Sequence, residues 1–281
     1  MRCVLCQAEG LSEMFATKDR KRWHDPTRYA VLWCRDCALG RVDLQSRSNA
    51  DFFNIPYYTH GDGLASMEGR PMMARIAWRF DYGRDLTPAD FANASTLCDI
   101  GCGDGSHLKR FAEAGFKVVG IEPDAVAREF AGIFGDVFDG TAEALPPSVL
   151  SSRFDVVLMS HVLDACMDPH AALRSAVSIL ADDGTLVIEV PNCASLGFRT
   201  YGANWPWVDV PRHLTFFTEA SLRRLLEAAG LRTNGVYYLG YTRQFKFGAD
   251  GWWLARTAIA PAKAKYDTVR IHATRSRGAL R

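Results

Sequence analysis

The glycine-rich stretch that decides the fold lies between a short apolar run and a predicted helix. It reads Leu97-Cys98-Asp99-Ile100-Gly101-Cys102-Gly103-Asp104-Gly105. Glycines at alternate positions let the backbone turn tightly and let a ligand approach it, while the N–H groups of the following helix face that ligand. A dinucleotide-binding turn has the pattern G-x-G-x-x-G, but here the third glycine comes one residue early and Ser106 stands in its place. The turn is therefore predicted to hold a ligand other than a pyrophosphate.

Two acidic residues near this turn indicate which chemical groups the ligand carries. Asp99 precedes the glycines, and its carboxylate can accept hydrogen bonds from an ammonium group. Glu122 ends the next predicted strand, about 20 residues after the turn, where an acidic side chain suits the two hydroxyls of a ribose.

The surrounding chain alternates apolar strands with amphipathic helices, which is typical of a mostly parallel α/β sheet covered on both faces. The predicted strands are 95–100, 117–122, 154–160, 185–190, 235–241 and 268–274. The predicted helices are 106–114, 169–180, one from Thr218 to Gly230 and one near 251–260.

In order and spacing these motifs resemble class I S-adenosylmethionine (SAM)-dependent methyltransferases over about 90–274. The resemblance rests on the glycine turn, Glu122, Thr141–Pro146 (TAEALP), 154–157 (FDVV) and 182–186 (DDGTL). It implies a Rossmann-like, seven-stranded methyltransferase sheet, parallel except for its last strand, with the ligand at the carboxyl ends of the strands.

The resemblance also implies a SAM site, with S-adenosylhomocysteine as the product. Asp99, Gly101, Gly103 and Gly105 would line the methionine moiety and the ribose edge, Glu122 would hold the ribose hydroxyls, and Thr141 and Ala142 would lie beside the adenine. Cys102, Pro123, Ser160 and His161 complete the expected cofactor site. A nucleotide-binding fold for another ligand is the alternative.

Composition and charge limit the partners. The 281 residues carry 33 Lys and Arg against 32 Asp and Glu, a net charge of +1, so broad electrostatic binding to nucleic acid or to a membrane surface is not expected. No apolar run approaches the ~20 residues of a membrane span, and the N-terminus lacks the apolar core of a secretory signal. We expect a cytoplasmic protein, monomeric or homodimeric.

Two C-x-x-C pairs, Cys3/Cys6 and Cys34/Cys37, predict a structural zinc site, because two such knuckles place four thiolates at the corners of a tetrahedron. A redox pair and reduced structural cysteines are the alternatives. His24 or Asp25 could replace one ligand. We expect three regions: a small zinc-ribbon-like module (1–50), an aromatic and helical connector and lid (51–90), and the methyltransferase domain (91–281).

The N-terminal region resembles a zinc-binding module found ahead of methyltransferase domains in bacterial sugar and secondary-metabolite pathways. The match includes Ala38-Leu39-Gly40 and Pro56-Tyr57-Tyr58. Zinc ribbons also accompany ribosomal RNA methyltransferases, where they contact RNA. The basic cluster 18–22 is then either an RNA contact or a solvated turn.

Candidate catalytic residues follow the predicted strands 154–160 and 185–190 of the methyltransferase domain. His213 is the first candidate for a general base or an acceptor ligand; alternatively, it braces the helix that begins at Thr218. His161 is the second, unless it only packs against the methionine moiety. Tyr58, with Tyr57, would either stabilise the sulfonium by a cation–π contact or pack between connector and core. Trp205 and Trp207 are expected to line the acceptor site.

One departure from the family bears on mechanism. Many relatives carry a Glu-His pair where this chain has Asp164-Ala165, so a histidine often proposed as the base is missing. We predict a SAM-dependent methyltransferase acting on a small-molecule or sugar-type biosynthetic intermediate, with O-methylation favoured over N- or C-methylation. The alternatives are an RNA methyltransferase and a SAM-binding protein without turnover.

Overall fold

A computed structural model describes residues 1–22, 24–44, 86–240 and 259–276 of the chain. The strands are β1 (Ser12–Lys18), β2 (Arg28–Cys34), β3 (Leu39–Val42), β4 (Thr96–Ile100), β5 (Lys117–Ile121), β6 (Asp136–Phe138), β7 (Phe154–Ser160), β8 (Leu180–Pro191), β9 (Thr215–Phe216), β10 (Leu231–Leu239) and β11 (Thr268–Arg275). The helices are α1 (Ser106–Glu113), α2 (Ala125–Ala131), α3 (Pro147–Leu150), α4 (Pro169–Ser178), α5 (Leu196–Tyr201), α6 (Glu219–Ala228) and α7 (Ala262–Lys265), with 3₁₀ helices at Pro88–Phe91 and Gly202–Asn204.

The larger sheet has seven strands in the order β10-β11-β8-β7-β4-β5-β6. β11 runs antiparallel to both of its neighbours, while the pairs β8–β7, β7–β4, β4–β5 and β5–β6 are parallel. This confirms the predicted Rossmann-like sheet, including its single reversed strand. The strand order reverses between β4 and β7, and the carboxyl ends of strands at such a point are where ligands bind in this architecture.

Burial explains why the central strands were predictable from the sequence. In β7, Val156 and Val157 are completely buried although they point to opposite faces of the sheet. A strand covered on both faces is apolar along its whole length, which is the pattern that the sequence shows. The helices covering it begin at clear caps, such as Asp168 for α4 and Thr218 for α6.

A second sheet joins the N-terminal region to the rest of the protein. Its four antiparallel strands have the order β1-β2-β3-β9, and β9 comes from the chain beyond β8. In this sheet Gly40 pairs with Phe216, and Arg41 pairs with Thr215. The predicted boundaries at 50 and 90 stay predictions, since 45–85 lie outside the described residues. Tyr57, Tyr58 and most of the helix predicted near 251–260 also lie outside the described residues.

None of the described helices combines the length and the apolar character that crossing a membrane would require.

Candidate functional site

A cavity of about 1080 Å³ opens at the carboxyl ends of β4, β5 and β7. It brings together most of the predicted site residues, including His213. The predicted cofactor residues that line it are Asp99, Gly101, Cys102, Gly103, Glu122, Pro123, Thr141, Ala142, Ser160 and His161. Gly105 is not among the residues that line it.

The glycines set the path of the turn. Gly101 has a φ of +73°, and a Cβ there would lie 2.4 Å from Val162 Cγ2. Gly105, the residue before α1, has a φ of +86°, and a Cβ there would lie 2.8 Å from the Cα of Ala131. Both positions therefore need glycine for conformation and for space, and Gly105 contributes through packing behind the cavity wall.

Asp99 is a buried carboxylate that faces the cavity. It is 1% exposed, and neither of its carboxylate oxygens has a hydrogen-bond partner among the described residues. Burial, with a smaller contribution from the nearby Glu122 carboxylate, raises the pKa of Asp99 well above its ordinary value. A buried, unpartnered acid in a ligand cavity matches a ligand that brings a cationic donor, such as the ammonium group of SAM.

Glu122 is held at the tip of β5 by the backbone. Its Oε2 accepts the N–H of Gly103 (3.0 Å), and its Oε1 accepts the N–H of Asp124 (2.9 Å). Burial raises the pKa of Glu122 even though these two N–H groups favour the charged form. Each oxygen retains acceptor capacity, as the recognition of two adjacent hydroxyls requires.

His161 is one of two histidines in the cavity backed by a carboxylate. Its Nε2 lies 3.4 Å from Glu189 Oε1, and its ring stacks on Trp207 with centroids 4.7 Å apart. Burial alone would lower the pKa of His161, but the Glu189 carboxylate outweighs it and raises the value. Glu189 also accepts the Arg270 Nε–H (2.7 Å). Burial opposes ionisation of Glu189, yet these two partners bring its pKa to about 2.

His213 is the second histidine of the cavity that lies beside a carboxylate. Its Nδ1 lies 3.0 Å from the carbonyl oxygen of Trp207 and 3.5 Å from Asp164 Oδ2. Because a carbonyl oxygen can only accept, Nδ1 carries the proton in the neutral ring, and Nε2 is then the nitrogen able to take one. Asp164 is 1% exposed, so this carboxylate is sealed beside the imidazole.

Several residues of the site escaped the sequence analysis. Glu189, which contacts His161 from behind the lining, lies within a predicted apolar strand, and a charged residue near the end of a buried strand was the signal that could have identified it. His107 projects from α1 into the cavity lining, and burial lowers its pKa to about 4. Arg20 and Lys21 reach the cavity from the turn after β1, a juxtaposition that no local pattern reveals. Conversely, Trp207 lines the cavity as predicted, but Trp205 is fully buried in the core against Phe198.

The four N-terminal cysteines converge on one point. Their sulfur atoms all lie within 4.8 Å of one another, and the Sγ atoms of Cys6 and Cys34 are 3.7 Å apart. Tetrahedral Zn–S bonds of about 2.3 Å place sulfur atoms roughly 3.8 Å apart, so the donor set and its spacing fit a zinc ion. His24 and Asp25 are not part of this cluster. Arg224 Nη1 donates to Cys37 Sγ (3.3 Å), which places a cation beside the cluster.

Comparisons with known proteins agree with this geometry. A family profile described as a methyltransferase domain matches residues 76–234. The chain is 28% identical to the ubiquinone biosynthesis O-methyltransferase of Azorhizobium caulinodans, over 60% of this chain and 72% of that protein. It is also 28% identical to the C-methyltransferase NovU of Streptomyces niveus, over 74% of this chain but only 47% of that protein. Among solved structures, the CcbJ methyltransferase from Streptomyces caelestis shares the fold, with a TM-score of 0.50, 15% identity, and coverage of 67% of this chain and 86% of that one.

Proposed function

Because the chain belongs to the class I SAM-dependent methyltransferases, we propose that it methylates a small-molecule or sugar-type biosynthetic intermediate, most readily on oxygen. The observation that carries this proposal is the His213–Asp164 pair in the same cavity as the buried Asp99. An enzyme that methylates a hydroxyl must both bind the methyl donor and accept the hydroxyl proton. Asp99 would help to bind the methyl donor, and the His213–Asp164 pair would accept the hydroxyl proton.

The donor half of the cavity holds SAM through charge and hydrogen bonds. When bound, SAM supplies an electrophilic methyl group on a sulfonium sulfur. Asp99 would accept hydrogen bonds from its ammonium group, and Glu122 would accept those of the ribose hydroxyls. Gly101 and Gly103 leave room for the methionine moiety, and Thr141 and Ala142 are proposed to contact the adenine. The remaining contacts are assigned to Cys102, Pro123, Ser160 and His161.

The acceptor half handles the proton. We assign His213 as the general base: Nε2 takes the proton of the attacking hydroxyl while the new C–O bond forms and the C–S bond of the donor breaks. The Trp207 carbonyl oxygen holds the Nδ1 proton, and the Asp164 carboxylate, 3.5 Å from Nδ1, would stabilise the imidazolium that results. His161, whose charged form Glu189 favours, would donate a hydrogen bond to an acceptor oxygen. A general base in this role usually raises kcat by a factor of ~10²–10⁴.

The N-terminal cluster is proposed to hold one structural zinc ion through Cys3, Cys6, Cys34 and Cys37. All four tetrahedral positions would be filled by thiolates, so the ion would support folding and do no chemistry. We keep the proposed regions 1–50, 51–90 and 91–281, with the addition that β9 completes the sheet of the first.

The test is methyl transfer to the natural acceptor. Purified protein is incubated with methyl-labelled SAM and a fractionated extract of its own host, with the His213→Gln variant as the matched control. Label in small polar fractions, much reduced in the variant while S-adenosylhomocysteine binding is unchanged, is the expected result. Label in RNA would replace the proposal with an RNA methyltransferase. Undiminished binding of S-adenosylhomocysteine with no label in any fraction would favour a protein without turnover.

A further inference from the structure

The turn after β1 is built into the acceptor side of the cavity by a buried ion network. Arg212, which is completely buried, donates from Nη1 to Asp19 Oδ2 (2.9 Å) and from Nη2 to Asp19 Oδ1 (2.6 Å). It also donates from Nη2 to Asp209 Oδ1 (2.7 Å). Burial alone would raise the pKa of Asp19, but the Arg212 guanidinium lowers it, so the carboxylate stays charged. Since Arg212 precedes His213, this network ties the turn to the loop of the proposed base.

Asp19 shapes the turn as well as anchoring it. Its Oδ1 accepts the backbone N–H groups of Lys21 (2.9 Å) and Arg22 (3.3 Å). This local geometry fixes the direction of the chain directly after β1. Arg20 then reaches across and donates to the carbonyl oxygens of Ala203 and Trp205. Asp19 and Arg20 therefore hold the turn against the chain on either side of Trp207.

The charges of the cavity are separated along its length. Its acidic side chains on the donor side surround the glycine turn and the tips of β5 and β6. They are Asp99, Asp104, Glu122, Asp124 and Glu143. Among the described residues, the Arg and Lys side chains that line the cavity are Arg20 and Lys21. They lie with Trp207 and His213 on the acceptor side. Asp209 also lines this side, but Arg212 and Lys21 (3.4 Å) share its carboxylate.

Resting on the proposed function, we propose that Arg20 and Lys21 form an oxyanion subsite and that the acceptor carries a phosphate or carboxylate group. A guanidinium has five N–H donors, and the contacts to two backbone carbonyl oxygens leave donors for a ligand. An acceptor anchored there by its anionic end would present the rest of its structure to Trp207 and His213. The acid-rich donor side, in contrast, matches the positive charge of SAM.

A small-molecule anion is favoured over RNA by the direction of these side chains. Arg20 is fastened to carbonyl oxygens of the loop that encloses the cavity, and both cations line the cavity itself. Lys18 is exposed, as Arg20 and Lys21 are, but it is not part of the cavity lining. An RNA surface would use this outer charge as well as the inner pair, because phosphate contacts extend along a strand.

The experiment measures oxyanion binding to the full-length, metal-loaded protein saturated with S-adenosylhomocysteine. Pyrophosphate and malonate are titrated separately by calorimetry at fixed ionic strength, so that the two arms distinguish a phosphate from a carboxylate subsite. We expect one of them to bind, Arg20→Gln to weaken that binding about tenfold, and Arg20→Gln/Lys21→Gln to abolish it. Lys18→Gln is the matched charge control and is expected to bind as tightly as the unmodified chain.

Three results would overturn the subsite. They are no saturable binding of either anion, equal binding by the double variant, and an equal loss in Lys18→Gln that reflects diffuse charge or an RNA surface. The affinity for S-adenosylhomocysteine and the Tm of each variant report whether the fold is intact. Failure of methyl transfer with the anion site intact would contradict the proposed function and leave the subsite standing, so the two failures are distinguishable.

Discussion

Asp99 has opposite effects on ligand binding and on folding. A buried acid without hydrogen-bond partners destabilises the ligand-free fold, whereas the same acid favours a cationic ligand. We predict that Asp99→Asn raises the Tm of the ligand-free protein near neutral pH and weakens SAM binding by about tenfold or more, since a hydrogen bond to a charged group contributes roughly 1.5–3 kcal/mol. Thermal unfolding and calorimetry measure the two effects.

The pH dependence gives this prediction a second readout. The folded-state pKa of Asp99 lies well above the ordinary value of an aspartate, so the folded protein holds this proton more tightly than the unfolded chain does. The stabilisation that this bound proton provides is therefore present below the ordinary pKa and is lost as the pH rises toward the folded-state pKa. The Asn variant should lose this part of the pH dependence. Asp183→Asn, at an exposed acidic residue outside the cavity lining, should change neither property, and an equal effect there would contradict the assignment.

The histidine pair makes a separate prediction, which becomes measurable once the acceptor is known. His213→Gln should lower kcat by ~10²–10⁴ with little change in SAM affinity, since the ring takes a proton and does not bind the donor. Asp164→Asn should lower kcat less, because the carboxylate only stabilises the imidazolium and the ring itself still accepts the proton. A loss of less than about tenfold in His213→Gln would rule out a general base at that position.

At the scale of the element, the β4–α1 turn can be tested with glycines that share a conformation but differ in space. Gly101, Gly105 and Gly115 all have positive φ, yet a Cβ at Gly115 would meet nothing within 4 Å. Gly115→Ala should cost only the left-handed strain of about 1–2 kcal/mol. Gly101→Ala adds a 2.4 Å approach to Val162 and should destabilise the protein more, while also weakening SAM binding. Urea unfolding and calorimetry of both variants check the difference, and equal losses of stability would contradict it.

Which elements could be predicted follows from how far apart their contacts lie in the chain. The strands β4, β5 and β7 carry their own signal, because burial on both faces makes them apolar throughout. The strand β9 has only two residues and exists through pairing with β3, more than 170 residues earlier, so no local pattern marks it. Glu189 and Asp164 were missed for the same reason: each gains meaning from a histidine on another segment.

Across the whole molecule, the N-terminal region, predicted to be a small module, contacts the chain that follows β7 and the residue that caps α6. Arg41 is buried and donates to the carbonyl oxygens of Cys166 (3.2 Å) and Met167 (2.5 Å), and the Thr218 hydroxyl donates to the Ala38 carbonyl oxygen (3.0 Å). The glycine motif predicted the donor side because all its residues are close in sequence. The acceptor side depends on two distant segments folding together, which composition and spacing do not encode.

The two sides of the cavity depend to different degrees on the N-terminal sheet, and this difference leads to a prediction about metal removal. The donor side is built on β4, β5 and β7, whereas Arg20 and Lys21 are held by the sheet that the cysteine cluster supports. We expect about one zinc ion per chain and, on chelation, a lower Tm and weaker pyrophosphate binding with S-adenosylhomocysteine affinity largely retained. Cys37→Ser should reproduce this loss. Cys193→Ser, a buried cysteine outside the cluster, should keep its zinc. Metal analysis, thermal unfolding and calorimetry decide the matter: a zinc-free chain of undiminished stability would refute the site, and parallel loss of both ligands would show that the two sides of the cavity fold as one unit.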